Sequence, residues 1–96
     1  TLEEGIAAEK MGATYISTTL SGYTEYTTKT PGPDLDLVRA LAARVEAPIV
    51  AEGRYNTPEL ARAAIDAGAY AVVVGTMITN PREITKVFAR EVLGTR

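Results

Sequence analysis

Helical and extended stretches alternate along the 96-residue sequence, and that alternation predicts an α/β fold in which helices join parallel strands through right-handed crossovers. Two further observations support it. Met11-Gly12-Ala13-Thr14-Tyr15-Ile16 parallels Ala67-Gly68-Ala69-Tyr70-Ala71-Val72, each a helix end, a Gly-Ala step and an entry into a strand. Tyr70-Ala71-Val72-Val73-Val74 is a nearly continuous apolar run, as in a strand covered on both faces. The predicted order is helix, strand, helix, strand, helix, strand, helix. Three parallel strands do not close a barrel. They leave two sheet edges with unpaired backbone groups, so either further strands or pairing between chains must complete the sheet.

Each element has its own signals. Thr1 to Met11 reads as a helix because Leu2 and Ile6, then Ala7 and Met11, lie four apart, and Gly12 suits the position just past its end. Ala13 to Leu20 reads as a strand with Tyr15 and Ile16 at its centre and hydroxyls, Ser17, Thr18 and Thr19, at its far end. Those hydroxyls either bind a ligand or reflect the strand preference of Thr. Ser21 to Pro33 is a long polar loop, SGYTEYTTKTPGP, in which Tyr23 and Tyr26 either cover a ligand or decorate a mobile surface. Asp34 caps a helix whose apolar face is Leu35, Val38, Leu41, Ala42 and Val45. After Ala47-Pro48 comes the strand Ile49 to Ala51. The next helix, Pro58 to Ala67, carries a capping Thr57, a first-position Pro58 and a dipole-matched Glu59, with Leu60, Ala61, Ala64 and Ile65 inward. The strand Tyr70 to Val74 ends in Gly75-Thr76, and a short turn, Met77 to Asn80, leads on. Asn80 and Pro81 start a last helix with an Ile84, Val87, Phe88 and Val92 stripe, and Gly94-Thr95-Arg96 reads as a frayed end.

Composition narrows the chemistry. An apolar content of 46% fits one globular unit, although parallel βα architecture normally needs more chain. A net charge of −2 with no basic run argues against nucleic acid or an anionic membrane as the main partner. With no His and no Cys, the chain offers no soft or imidazole metal ligand and no Cys/His or Ser/His/Asp arrangement of its own. No apolar stretch reaches membrane-spanning length and no leader opens the sequence, so a cytoplasmic location is expected; the missing initiator Met reads as a processed or partial sequence.

The chemistry concentrates at Ile49-Val50-Ala51-Glu52-Gly53-Arg54. Glu52 sits where a parallel strand ends, the edge on which α/β folds build their sites, and is either an acid/base group or a solvated turn residue. Gly53 and Gly75-Thr76 end two successive strands, where glycine lets backbone N–H groups approach an anion, so a phosphate site is expected there.

These residues resemble a known family. ATYISTTLSGYT (Ala13 to Thr24), APIVAEGRYNTPELARAAIDAGAYAVVVGTMIT (Ala47 to Thr79) and PREITKVF (Pro81 to Phe88) are similar to N-acetylmannosamine-6-phosphate 2-epimerases over nearly the whole chain. The resemblance implies that residues 1–96 are a partial TIM-barrel domain, the C-terminal three βα units of a (β/α)8 barrel. It implies epimerisation at C2 of a phosphorylated N-acyl amino sugar in amino-sugar and sialic acid catabolism, without metal or nicotinamide cofactor. Glu52 matches the family's acid/base glutamate, and Thr18, Thr19, Gly53, Arg54, Gly75 and Thr76 fall on substrate- and phosphate-binding positions. The partner lysine, and an aspartate preceding the first helix, would lie upstream of Thr1. The family's ITRP reads Ile78-Thr79-Asn80-Pro81 here, so Asn80 replaces an arginine, with Arg82 nearby. The expected partners are the sugar phosphate and either further copies of the chain or the missing N-terminal barrel half. Another phosphate-binding barrel enzyme, such as a thiamine phosphate synthase or ribulose-phosphate epimerase relative, would keep the glycines without needing Glu52 or the SGYT loop. An inactive fragment or assembly module is the noncatalytic alternative.

Overall fold

A computed structural model describes residues 1–94. The elements are α1 (Leu2–Lys10), β1 (Ile16–Ser17), α2 (Leu35–Arg44), β2 (Ile49–Glu52), α3 (Pro58–Asp66), β3 (Ala71–Val73), α4 (Thr76–Thr79) and α5 (Pro81–Leu93). The three strands form one parallel sheet in the order β1-β2-β3. The predicted alternation therefore holds, with the Met77 to Asn80 turn replaced by the short helix α4. Of the expected frayed end, Thr95 and Arg96 lie outside the described residues.

Helix boundaries follow their caps. Thr1, Asp34, Thr57 and Asn80 each accept a hydrogen bond from the backbone N–H three residues on, and Pro58 and Pro81 occupy first positions. The two Gly-Ala steps are the same helix stop. Gly12 (φ 96°) and Gly68 (φ 114°) are left-handed. The N–H of Ala13 donates to Ala8 O and that of Ala69 to Ala64 O, both at 3.0 Å, while Gly12 and Gly68 bond to the carbonyls of Glu9 and Ile65. Ala13 is thereby committed to the end of α1, which is one reason β1 is far shorter than the predicted Ala13 to Leu20.

The core lies on one side of the sheet. Ile16, Ile49 and Ala51 are buried with Val38, Leu41 and Val45 of the α2 segment, Ala64 of α3, Tyr55 and Ala69. α1 packs so closely on α2 that any side chain on Gly5 would run into Leu41, and a Cβ on Gly68 would lie 2.6 Å from that of Ala42. Parallel pairing aligns Ser17 with Val50, Val50 with Ala71 and Glu52 with Val73. Since Ile49 and Ala51 face the helices, this second set faces the other way, where no element among the described residues covers it. The expected double coverage of the Tyr70 to Val74 run is therefore corrected: Val73, on the open face, is 41% exposed, and Tyr70, which precedes β3 and lies outside it, is 78% exposed. Ile65, expected inward, is also exposed, because α3 touches the sheet mainly through Ala64 and Leu60. α5 packs chiefly on α4, and Val87, Phe88 and Val92 of its stripe are exposed.

One carboxylate ties α1 to the turn before β2. Glu9 Oε2 accepts from the N–H groups of Glu46 and Ala47 at 2.6 and 2.7 Å, filling the ladder gap left where α2 ends in extended Val45. Glu9→Ala should lower unfolding stability by about 1–3 kcal/mol, with Glu9→Gln roughly midway because it keeps a neutral acceptor. Denaturant melts in which Glu9→Ala matches the parent would remove this tie from the account.

Candidate active site

All three strands run the same way, so Thr18-Thr19, Glu52-Gly53 and Val74-Gly75 emerge at one edge of the sheet. A hollow of about 380 Å³ opens there, lined by Glu52, Gly53, Arg54, Gly75 and Thr76 together with Tyr23, Tyr55, Asn56, Val73 and Met77. Its size suits a small ligand. Five of the seven expected site residues thus converge on one cavity. Val73 was missed although its register opposite Glu52 follows once the strand ends are aligned; Tyr55, Asn56 and Met77 carried no signal because their placement depends on loop paths.

Glu52 is half-buried at the end of β2, and its backbone is held on both sides by one hydroxyl. Thr18 Oγ1 accepts from Glu52 N–H and donates to Glu52 C=O, both at 3.0 Å. β1 stops at Ser17, and the buried Thr18 side chain continues the ladder in place of a backbone pair. Thr18, expected to contact ligand, therefore faces the Glu52 backbone. Thr19 lines a neighbouring hollow of about 390 Å³ with Tyr15, Ser17, Leu20 and Tyr26, so the structure does not bring its side chain to Glu52.

The turn after Glu52 is unusual. Gly53 has φ 110° and Arg54 φ 64°, and Arg54 is the one non-glycine residue with positive φ among the described residues. The guanidinium reaches the polar loop. Nη1 donates to Thr30 O at 2.6 Å and Nη2 to Ser21 O at 3.1 Å. Arg54, expected to contact ligand, lines the hollow and also spends Nη1 and Nη2 on two loop carbonyls. Tyr55 is buried beneath the turn, and that burial, reinforced by the nearby Asp34 charge, raises its phenol pKa.

On the β3 side, Gly75 precedes α4, and a Cβ there would meet nothing within 4 Å. The glycine leaves room beside the hollow without being required by packing. Asn80 caps α5 by accepting from Glu83 N–H at 3.2 Å, and neither it nor exposed Arg82 lines the hollow.

Thr18→Val keeps the shape but leaves a part-buried N–H and C=O of Glu52 without partners. It should destabilise the chain by about 1–3 kcal/mol, whereas Thr18→Ser should restore most of the loss. Equal thermal melting of Thr18→Val and the parent would show that the hydroxyl bracket carries no stability.

Comparison with known proteins is consistent with this geometry. Residues 1–93 match the family model described as "Putative N-acetylmannosamine-6-phosphate epimerase". A protein of Caldanaerobacter subterraneus subsp. tengcongensis bearing the corresponding 2-epimerase name is 61% identical over 88 residues, and one from Clostridium perfringens is 52% identical over 88 residues. Each alignment covers 92% of this chain but only 37% and 40% of the relative, so the chain spans about two-fifths of their length. The solved structure of the Clostridium perfringens N-acetylmannosamine-6-phosphate 2-epimerase superposes with a TM-score of 0.89 at 50% identity, covering 95% of this chain and 40% of that one. A family-model match over residues 1–93, with relatives 61% and 52% identical over 88 residues, settles descent: the chain belongs to the N-acetylmannosamine-6-phosphate epimerase family.

Proposed function

We propose that this chain supplies one face of the active site of an enzyme that interconverts N-acetylmannosamine 6-phosphate and N-acetylglucosamine 6-phosphate, in the amino-sugar and sialic acid catabolism of the cytoplasm. The observation that carries the reading is Glu52: a half-buried glutamate on the open face of the sheet, at a strand end that Gly53 follows and beside the Gly75 end of β3, in a chain of this family. In the open-chain sugar the C1 aldehyde acidifies the C2 proton. Glu52 takes or gives that proton on one face; as the C2–H bond breaks, its pair forms the C1=C2 bond and the C1 carbonyl π pair moves onto oxygen, and when C1=O reforms the C1=C2 pair takes a proton at C2 from a second acid on the opposite face. Gly53, Gly75 and Thr76 line the same hollow, and backbone N–H groups and a hydroxyl are the donors a 6-phosphate needs.

The second group lies outside the chain. Residues 1–94 present a sheet whose open face and two edges have no partner among the described residues. Residues 1–96 are accordingly read as the C-terminal portion of a barrel domain, completed by the N-terminal portion that its relatives possess, or else by further copies of itself. No helix among the described residues is long and apolar enough to cross a membrane.

Two outcomes test the reading. The isolated chain should show no turnover, and adding the N-terminal portion of the Clostridium perfringens relative should restore it; in that complex Glu52→Gln should slow epimerisation ~10²–10⁴-fold. Normal solvent deuterium incorporation at C2 by Glu52→Gln would sink Glu52 as an essential base. Asn80→Arg should act in two directions, lowering stability by about 1 kcal/mol through loss of the α5 cap while tightening the sugar phosphate through a new cation. Unchanged KM in that variant would place the phosphate away from the β3–α4 turn.

A further inference from the structure

The loop Ser21–Thr30 is bound to the site through one residue. Arg54 grips it at both ends through Ser21 O and Thr30 O, its Cζ lies 5.3 Å from the centroid of the Tyr23 ring, and its Nε is shut away from solvent without a partner. Gly22, with φ 88°, leaves the space that the guanidinium fills, since any Cβ there would collide with it. Tyr23 in turn reaches back over the β2 turn, its Cε2 lying 3.6 Å from where a Gly53 Cβ would be, and its ring lines the hollow beside Glu52. Thr27 closes the loop from within by accepting from Gly22 N–H at 2.8 Å. The left-handed Arg54 is a mild strain whose one evident effect is this grip.

We propose that Tyr23 is a substrate-contacting residue, its ring forming a wall for the carbon skeleton of an amino-sugar phosphate, and that Arg54 is its positioning residue rather than a phosphate ligand. A guanidinium is needed because two carbonyls must be met by a planar fork while the same plane supports an aromatic ring; a lysine ammonium cannot do both. The choice of sugar phosphate rests on the epimerase reading, whereas the loop grip does not.

The chain has three lysines, Lys10, Lys29 and Lys86, and only Lys29 lies in this loop. Digestion with a lysine-specific protease should cut Arg54→Gln and Arg54→Lys at Lys29 at least ~10-fold faster than the parent, with cutting at Lys10 and Lys86 unchanged, because only local opening has become easier. In the complex with the N-terminal portion of the relative, both variants should raise KM ~10-fold with kcat within about threefold; partial unfolding would instead lower kcat at constant KM. Tyr23→Leu should reproduce the KM effect, and the Arg54→Gln/Tyr23→Leu double variant should be no worse than either single one. Unchanged cutting at Lys29 overturns the grip. Multiplying effects in the double variant, with inorganic phosphate inhibition lost only in the Arg54 variants, would make Arg54 a phosphate ligand and overturn the positioning role. If the parent complex turns over no amino-sugar phosphate, the epimerase reading fails, and cutting at Lys29 alone decides the grip.

Discussion

The packing of Ile49 and Ala51 against Val38 and Leu41 is the contact on which the rest depends. Side chains on a strand alternate, so burying these two residues under the helices turns Val50 and Glu52 to the opposite face, and a slip of one residue would drive Glu52 into the apolar layer. The parallel register carries the same parity to Ser17 on one side and to Ala71 and Val73 on the other. One hydrophobic seam thereby sets which side of the sheet is core and which side can do chemistry.

The seam chooses the face, but it does not hold the glutamate still. That falls to Thr18, which bonds both backbone groups of Glu52 at the point where β1 can no longer pair. Beyond it, two successive left-handed residues, Gly53 and Arg54, turn the chain out of the strand and send a cation under the Ser21–Thr30 loop. The result is a hierarchy: strand parity aims the carboxylate, a hydroxyl bracket fixes its backbone, and an arginine holds the wall beside it.

The same hierarchy separates the well-packed part of the molecule from the rest. α1, α2 and α3 share the core with β1 and β2, whereas α5 rests mainly on the short α4 and leaves Phe88 and Val92 in solvent. An amphipathic helix with an uncovered stripe and a parallel sheet with an uncovered face are features of an unfinished layer structure. They agree with a chain that spans two-fifths of its relatives' length.

Local sequence determined the order of elements, the four capped helix starts and the two Gly-Ala helix stops, because each is decided by hydrogen bonds and φ preferences within about six residues. It also placed Glu52, Gly53, Gly75 and Thr76 at strand ends, and the parallel topology then brought them to one hollow. Sequence did not determine the length of β1, the exposure of Ile65 and Tyr70, or the destinations of Thr18 and Arg54. A Thr at a strand end and an Arg after a Gly are chemically able to meet a ligand, and nothing nearby in the chain distinguishes that fate from another. Only the fold does so, by bringing Glu52 to Thr18 across 34 positions and Ser21 and Thr30 to Arg54 across 33 and 24, where backbone groups left unpaired by the short strand and the loop claim those side chains first.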